Sequence, residues 1–344
     1  MCVMKAAMIV EKGVVRIEQV PRPAVGPGEL LVKMKTCGVC GTDLEKMHGD
    51  HITPPVLGHE VAGVIEEVGK GLQDFTVGER VAVHHHISCG RCFYCKNGLE
   101  TLCADYPKSN LHPCGFAEYF RVPSTLVEGG TVYKLPDSVS FDEGSLIEPT
   151  ACCVRALRKA NVRPGCSAVV FGVGPVGLLH IQLLKAYGLA PVYAVDVIKS
   201  RRDTAMKLGA ESAFDPATDD IPTMIAQQTS QRGVDYAIVA TANLKALEQA
   251  TRTVRKGGTI LLFGAPARGA SVSLDMSYMF LHEVNFQSSY STSETEMRIA
   301  MNLIAGKRTN PSLLISHRFP LHQTVEALNL ADKAVDAVKV VVNG

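Results

Sequence analysis

Three features are scarce in this sequence, and each absence narrows what the chain can do. The first is charge of one sign: 35 Lys and Arg stand against 34 Asp and Glu, a formal net charge of +1, with no long basic or acidic block. Neither a nucleic-acid backbone nor a charged membrane surface is therefore expected as a partner. The second is an unbroken apolar run. The most apolar region, around residues 166–198, is interrupted by His180, Gln182 and Lys185 and cannot span a bilayer. The third is a secretory leader: residues 1–10 carry Lys5 inside what reads as an opening strand, so a cytoplasmic protein is expected. Internal repeats and low-complexity tracts are also missing.

A chain of 344 residues, 46% hydrophobic and 20% charged, is an ordinary globular protein too long for one core, and two domains are expected. Its eleven cysteines would suggest disulfides in an exported protein. With no export signal and an uneven grouping, metal ligation is the better reading. Cys2, Cys37, Cys114, Cys152, Cys153 and Cys166 lack a metal-like spacing and read mostly as buried small apolar residues.

Residues 167–196 read as a strand, a turn, a helix and a second strand. The run Ala168 to Phe171 ends in Gly172-Val-Gly-Pro-Val-Gly177, and Leu178, Ile181, Leu183 and Leu184 then recur at helical spacing up to Gly188. Val192 to Val195 follow and deliver Asp196, 19 residues beyond Gly177. Gly172, Gly174 and Gly177 fit the pattern in which one glycine makes a tight turn, the next admits a pyrophosphate and the third lets helix pack on strand. A helix N-terminus behind them offers free N–H groups and a positive dipole end. Asp196 would accept from an adenosine ribose and repel a 2′-phosphate, favouring NAD over NADP, while Lys199, Arg201 and Arg202 partly offset that repulsion.

The first 150 residues carry short β-branched runs at 14–20, 29–36, 60–68 and 80–83 between glycine- and proline-rich turns, the texture of a partly open β barrel. Beyond about Thr150 strands and helices alternate. Strands are expected at 213–214, 236–240, 259–263 and 284–288, and helices at 200–208, 220–228 and 244–254, which with the unit above make a doubly wound parallel sheet. Amphipathic helices at 294–305 and 324–332 are expected to cover the junction of the two domains, and 337–342 to close as a strand.

Cys89, Cys92, Cys95 and Cys103 stand as C-x2-C-x2-C-x7-C. Four thiolates at that spacing close a tetrahedron around one zinc ion and leave no open position, against the alternatives of buried free cysteines or an iron–sulfur cluster. His84, His85 and His86 lie just upstream; a strand would turn them to alternate faces, so a shared metal is not expected and a rim position is. A sparser set consists of Cys40 within Cys37-Gly-Val-Cys-Gly-Thr-Asp43, His59 and Glu60 within Gly58-His-Glu60, and Glu148 before Pro149. Singly these read as a redox pair or as turns. Together they supply a thiolate, an imidazole and carboxylates, enough for a zinc site with an open position.

In order, Gly38-Val-Cys-Gly-Thr-Asp43, Gly58-His-Glu60, the four cysteines, Glu148-Pro149, Gly172 to Gly177, Asp196 with Arg201, and Leu262-Phe-Gly-Ala265 span essentially the whole chain. This set resembles the zinc-dependent medium-chain dehydrogenase/reductase family of the alcohol, sorbitol and threonine dehydrogenase kind. The resemblance implies an α/β protein: a mainly-β GroES-like catalytic domain from residues 1–152 and 292–344, and an inserted dinucleotide-binding Rossmann domain, 153–291. It implies a catalytic zinc on Cys40, His59 and Glu148, with Glu60 a ligand or a close carboxylate, beside the structural zinc. Thr42 falls where a hydroxyl touches substrate oxygen and starts a proton relay. Where many relatives continue that relay through a histidine this chain has Glu45, which either accepts the proton or is a solvated surface residue. Val176, Gly264, Ala265 and Ser289 join the glycine turn, Asp196 and Arg201 on the cofactor side; Ser289 and Tyr290 either neighbour the nicotinamide amide or pack. His48, Phe116, Cys152 and Leu281 fall at cleft positions and are less apolar than pockets for simple alcohols.

The activity so implied is hydride transfer between a secondary alcohol, of polyol, cyclitol or sugar type, and NAD. An NADP-linked aldose dehydrogenase or a threonine dehydrogenase-like enzyme are the alternatives, and a redox-silent binding protein a remote one. Relatives are dimers or tetramers, so a homo-oligomer, a homotetramer or dimer, is expected.

Overall fold

Residues 2–49, 56–334 and 337–344 are described by a computed structural model, in which the chain separates into two units, Met1–Ala151 with Thr292–Gly344, and Cys152–Ser291. The first is built on the strand Leu30–Gly38, whose Leu30, Leu31, Val32 and Met34 are all fully buried. A strand hidden on both faces reads as a near-continuous apolar run, as this one does. It pairs antiparallel with Glu60–Val68, with Tyr119–Val122 and, at its far end, with Lys339–Asn343. The full order is Ile315–Pro320, Lys339–Asn343, Leu30–Gly38, Glu60–Val68, Arg80–Val83 and Val132–Lys134, with Tyr119–Val122 off this path. Among the described residues the first and last strands do not pair, so the sheet is curled but not closed. Val14–Pro21, read above as one of the barrel strands, instead forms a separate hairpin with Val3–Glu11.

The helix Thr324–Lys333 packs against Lys339–Asn343, Ile315–Pro320, Val14–Pro21 and the helix Gly41–His48, all within the first unit. Its buried Ala327 and Leu328 therefore belong to the β core.

In the second unit six parallel strands run in the order Ser212–Phe214, Val192–Val195, Ala168–Phe171, Val234–Val239, Val254–Leu262 and Asn285–Ser288. Strand order reverses between Ala168–Phe171 and Val234–Val239, which is where such sheets open a crevice at their carboxyl ends. The fifth strand begins at Val254 and runs through Gly257-Gly258, earlier than the sequence pattern suggests: Val234 pairs with Val254 and Tyr236 with Thr259, so residues 255–258 bulge against the single Asp235.

The short helix Phe141–Ser145 holds the two sequence segments of the first unit together. Ser140 Oγ accepts from Glu143 N at 3.1 Å while Glu143 Oε2 accepts from Ser140 N at 2.8 Å, a reciprocal cap. Glu143 Oε1 also receives Lys307 Nζ at 2.9 Å, and Asp142 receives the Arg318 guanidinium at 2.8 and 3.0 Å. Burial pushes the Glu143 carboxyl upward, but the bonds from Lys307 and Ser140 outweigh it and hold the group below its usual range. A carboxyl depressed on folding adds stability that is complete above its unfolded pKa, about 4.3, and is lost as pH falls through the lower folded value. Glu143→Gln is expected to cost about 1 kcal/mol at neutral pH, a modest value because Lys307 is half-exposed. Denaturant unfolding of both proteins should give curves that converge below about pH 4; a gap independent of pH would remove the charge from the explanation.

Candidate functional site

The four-cysteine segment folds as a knuckle. The short helix Phe93–Lys96 begins after Cys92, and the Cys89, Cys92, Cys95 and Cys103 sulfurs all lie within 4.8 Å of one another. Cys92 Sγ to Cys95 Sγ is 3.5 Å and Cys89 Sγ to Cys95 Sγ 4.0 Å. Thiolates bound at about 2.3 Å around a tetrahedral zinc stand about 3.8 Å apart, so the set fits that ion. Backbone N–H groups already face the sulfurs: Cys92 N donates to Cys89 Sγ at 3.3 Å, and Cys89 N and Asp105 N to Cys103 Sγ at 3.4 Å. Such donors favour thiolate, and those of Arg91 and Cys92 draw the Cys89 thiol down to about 6.

A second group is formed by Cys40, His59 and Glu60, each offering a donor atom within 4.8 Å of the others. Cys40 caps the helix Gly41–His48 and His59 and Glu60 open the next strand, so two element ends bring them together. Asp43, fully buried, organises the group. Its Oδ2 accepts from Cys40 N at 3.0 Å and its Oδ1 from Gly58 N at 2.8 Å, and Oδ1 stands 3.5 Å from His59 Nδ1. The last distance is that of an ion-pair contact, too long for a well-formed hydrogen bond. A carboxylate on Nδ1 leaves Nε2 as the ligating nitrogen, an arrangement recurrent around metal-bound histidines. Burial works against charge on His59, but Asp43 and Cys40 raise its pKa well above the usual imidazole range. Burial likewise opposes ionisation of Asp43, and His59 with the two backbone donors overcomes it.

Glu60, 1% exposed, is paired with Lys339, 5% exposed. Lys339 Nζ donates to Glu60 Oε1 at 2.7 Å and to Val39 O at 2.8 Å, and stands 2.5 Å from Glu60 Oε2 as an ion-pair contact. Thr42 Oγ1 stands 3.4 Å from Cys40 Sγ, so a hydroxyl able to pass a proton lies beside the donor group.

Glu148 opens the helix Ile147–Lys159, and its carboxylate is grouped with His84 and His85, again within 4.8 Å. This corrects the expectation that the histidines sit on a rim. The strand ends at Val83, alternation stops, and His84 and His85 turn inward to 0% and 6% exposure. The His85 ring lies 4.7 Å from that of His59 and 3.8 Å from that of His86. Burial drives the imidazoles neutral, His84 down to about 3 and His86 to about 4, with His85 also well below its usual value. His86 Nδ1 donates to Ser109 O at 2.9 Å.

In the second unit Gly172 ends its strand with φ +80° and a Cβ there would strike Thr241; a Cβ on Gly177 would lie 2.0 Å from Gly172 O. Gly174 heads the helix Pro175–Ala186 with no side-chain cap, and a Cβ on it would meet only Arg201 Nη1 at 3.6 Å. An open helix N-terminus beside a guanidinium fits a phosphate. Half-buried Val176 lies in the first turn of that helix. Asp196 is held by Val173 N on Oδ2 and Ile198 N on Oδ1, each at 2.8 Å. Gly264 abuts the Thr241 backbone, Ala265 is exposed, and Ser289 N donates to Leu262 O at 3.2 Å.

The cleft residues named from the resemblance fall in unlike places. Phe116 is fully buried in the first unit's core and acts in packing, which corrects its placement on a cleft wall. His48 is exposed and contacts Asp332 at 3.1 Å; Leu281 is 71% exposed and Cys152 half-buried. Glu45 is exposed. Asp43, Lys339, His84 and His85 went unread as parts of the site. Asp43 carried the only signal, its place in the Cys40 motif.

Asp43→Asn keeps the side-chain shape but removes the charge facing His59. Metal affinity at the Cys40 group is expected to fall about 10–100-fold, measured by chelator competition, while the four-cysteine site is unaffected. Equal affinities in the two proteins would reduce Asp43 to a loop brace.

The chain matches the family described as "Alcohol dehydrogenase GroES-like domain" over residues 26–137 and that described as "Zinc-binding dehydrogenase" over residues 175–306. It is 31% identical over 336 residues to a sorbitol dehydrogenase of Bacillus subtilis, covering 95% of this chain and 93% of that one. It is 33% identical over 317 residues to a probable D-xylulose reductase A of Emericella nidulans, covering 88% and 86%. Among solved structures, a zinc-binding dehydrogenase of Sinorhizobium meliloti crystallised with NADP superposes with a TM-score of 0.92 at 30% identity, covering 100% of both chains. Matching motifs, matching geometry and full-length relatives converge, and the chain belongs to the zinc-dependent medium-chain alcohol dehydrogenase family of oxidoreductases.

Proposed function

We propose that this alcohol dehydrogenase oxidises a polyhydroxylated secondary alcohol, a polyol, cyclitol or sugar-like compound, to the ketone with NAD. The observation that carries the reading is the convergence of the Cys40, His59 and Glu60 donors beside the Thr42 hydroxyl. Cys40 and His59, with the Glu60 and Glu148 carboxylates, would hold one zinc ion; Cys89, Cys92, Cys95 and Cys103 would hold a second with a purely structural role. Bound zinc supplies Lewis acidity that lowers the pKa of a hydroxyl, and bound nicotinamide supplies the hydride acceptor. Thr42 takes the hydroxyl proton and passes it outward, with exposed Glu45 as a possible acceptor near the surface. Asp43 fixes the His59 ring, and Lys339 balances the charge of Glu60. The first unit is assigned to zinc and substrate, the second to the dinucleotide, and the assembly to a homo-oligomer.

The substrate class is supported by the sorbitol and xylulose names of relatives matched over most of their length. NAD is favoured by the Asp196 carboxylate, which would repel a 2′-phosphate. A second reading, NADP, is favoured by Arg201 beside Gly174 and by the NADP bound to the S. meliloti relative.

Nicotinamide reduction followed with NAD and with NADP across polyols, cyclitols, sugars, threonine and simple alcohols separates these readings. Turnover of a polyhydroxylated substrate with NAD preferred, falling about 1,000-fold or more in Cys40→Ser, is the expected result. Preference for NADP would select the second reading. Activity on simple alcohols or threonine alone would overturn the substrate class.

A further inference from the structure

His84 and His85 take no part in the reaction described above, yet they are buried beside its metal ligands. The hydroxyl of Tyr106 has a single proton, and at 2.6 Å it donates that proton to Thr292 O. Its contact with His84 Nε2 at 3.3 Å must then be one in which the imidazole donates. His84 is therefore held as the tautomer with hydrogen on Nε2 and a lone pair on Nδ1. That Nδ1 is buried and has no hydrogen-bond partner among the described residues, and the same is true of His85 Nδ1. A buried polar nitrogen left unmatched costs about 1–3 kcal/mol, so two side by side call for an occupant. The Glu148 carboxylate lies within 4.8 Å of a donor atom of each.

We propose that His84, His85 and Glu148 bind a further divalent transition-metal ion, zinc in class, adjacent to the Cys40–His59–Glu60 group. Two neutral imidazoles and one carboxylate form a three-ligand set of the kind that leaves a coordination position open. The hydrogen bond from His84 Nε2 to Tyr106 fixes ring orientation and tautomer, the usual office of an outer partner at a metal-bound histidine. The His85 ring lies 4.7 Å from that of His59, which puts the two donor groups side by side. A carboxylate has two oxygens, so service to this ion does not bar Glu148 from the neighbouring one. The inference is independent of which alcohol is the substrate.

The test is equilibrium dialysis of the full-length holoenzyme against buffered micromolar Zn2+, with bound zinc counted by elemental analysis. About three ions per chain are expected for the native protein, and about two for His84→Gln, His85→Gln and Cys40→Ser individually. Cys40→Ser combined with His85→Gln should hold about one, at the four-cysteine knuckle. Co2+ added to native protein holding two zinc ions per chain supplies a second reading: ligand-field absorption without a thiolate charge-transfer band is expected of the nitrogen and oxygen site, and no new absorption would overturn the proposal. His84→Gln also breaks the Tyr106 contact; His85→Gln keeps that contact and carries the test if the first variant does not fold. About two ions in the native protein, or an unchanged count in His85→Gln, would mean that water fills the space and would overturn the proposal.

Discussion

Lys339 and Glu60 form an ion pair almost without access to water, and much of the first unit is arranged to satisfy it. Removing two such charges from water costs several kcal/mol each, and only close geometry with every proton matched offsets that. The matching here depends on three strands. Glu60 lies opposite Gly38 on the central strand, and Lys339 comes from the strand on the other side of it. A side chain at position 38 would enter the Glu60 carboxylate, so the glycine is the opening through which the pair meets. The last strand of the chain is thereby locked to the strand that carries Glu60, and the Cys40, His59 and Glu60 group inherits its rigidity from a contact across 279 residues.

Charge at that group is balanced in the same way. Asp43 and Glu60 bring negative charge into a buried space where Lys339 is one compensating cation. The raised pKa of His59 has the same origin, since a proton on its ring supplies the positive charge that the neighbouring anions demand. A cation bound there would meet that demand and displace the proton, which would couple metal binding to proton release.

The parts of this architecture that lie close together in sequence were legible in it. The four-cysteine knuckle and the glycine turn are each specified within 20 residues, and local spacing contains their chemistry. The alternation of strands and helices placed the second unit's sheet, erring at Val254, where a strand runs through two glycines. Cys40, His59 and Glu148 were joined by resemblance and not by spacing, because ligands on separate elements share no local pattern. The three histidines were misread for a physical reason: period-2 alternation holds only while a strand lasts, and this one ends one residue before them. Lys339 was silent altogether, a lysine in a β-branched run whose partner lies at the other end of the chain.

Asp196 shows how the fold fixes the place of a charge by backbone alone. A free aspartate could rotate away from an approaching phosphate, but both oxygens of this one are held by the amides of Val173 and Ile198. Its charge is fixed at the end of the strand Val192–Val195, next to the glycine turn, because Val173 belongs to that turn. The position of that charge is then set by the sheet and not by a side-chain rotamer. Arg202 is itself engaged, by Asp215 at 2.9 Å and by the Asp196 carbonyl at 2.6 Å. Arg201, whose guanidinium lies beside Gly174, is the nearby cation aimed at the turn, where a pyrophosphate is the natural counter-charge. The adjacent arginines, Arg202 bonded to the Asp196 carbonyl and Arg201 beside Gly174, diverge because their consecutive positions in the helix Lys199–Lys207 turn them about 100° apart.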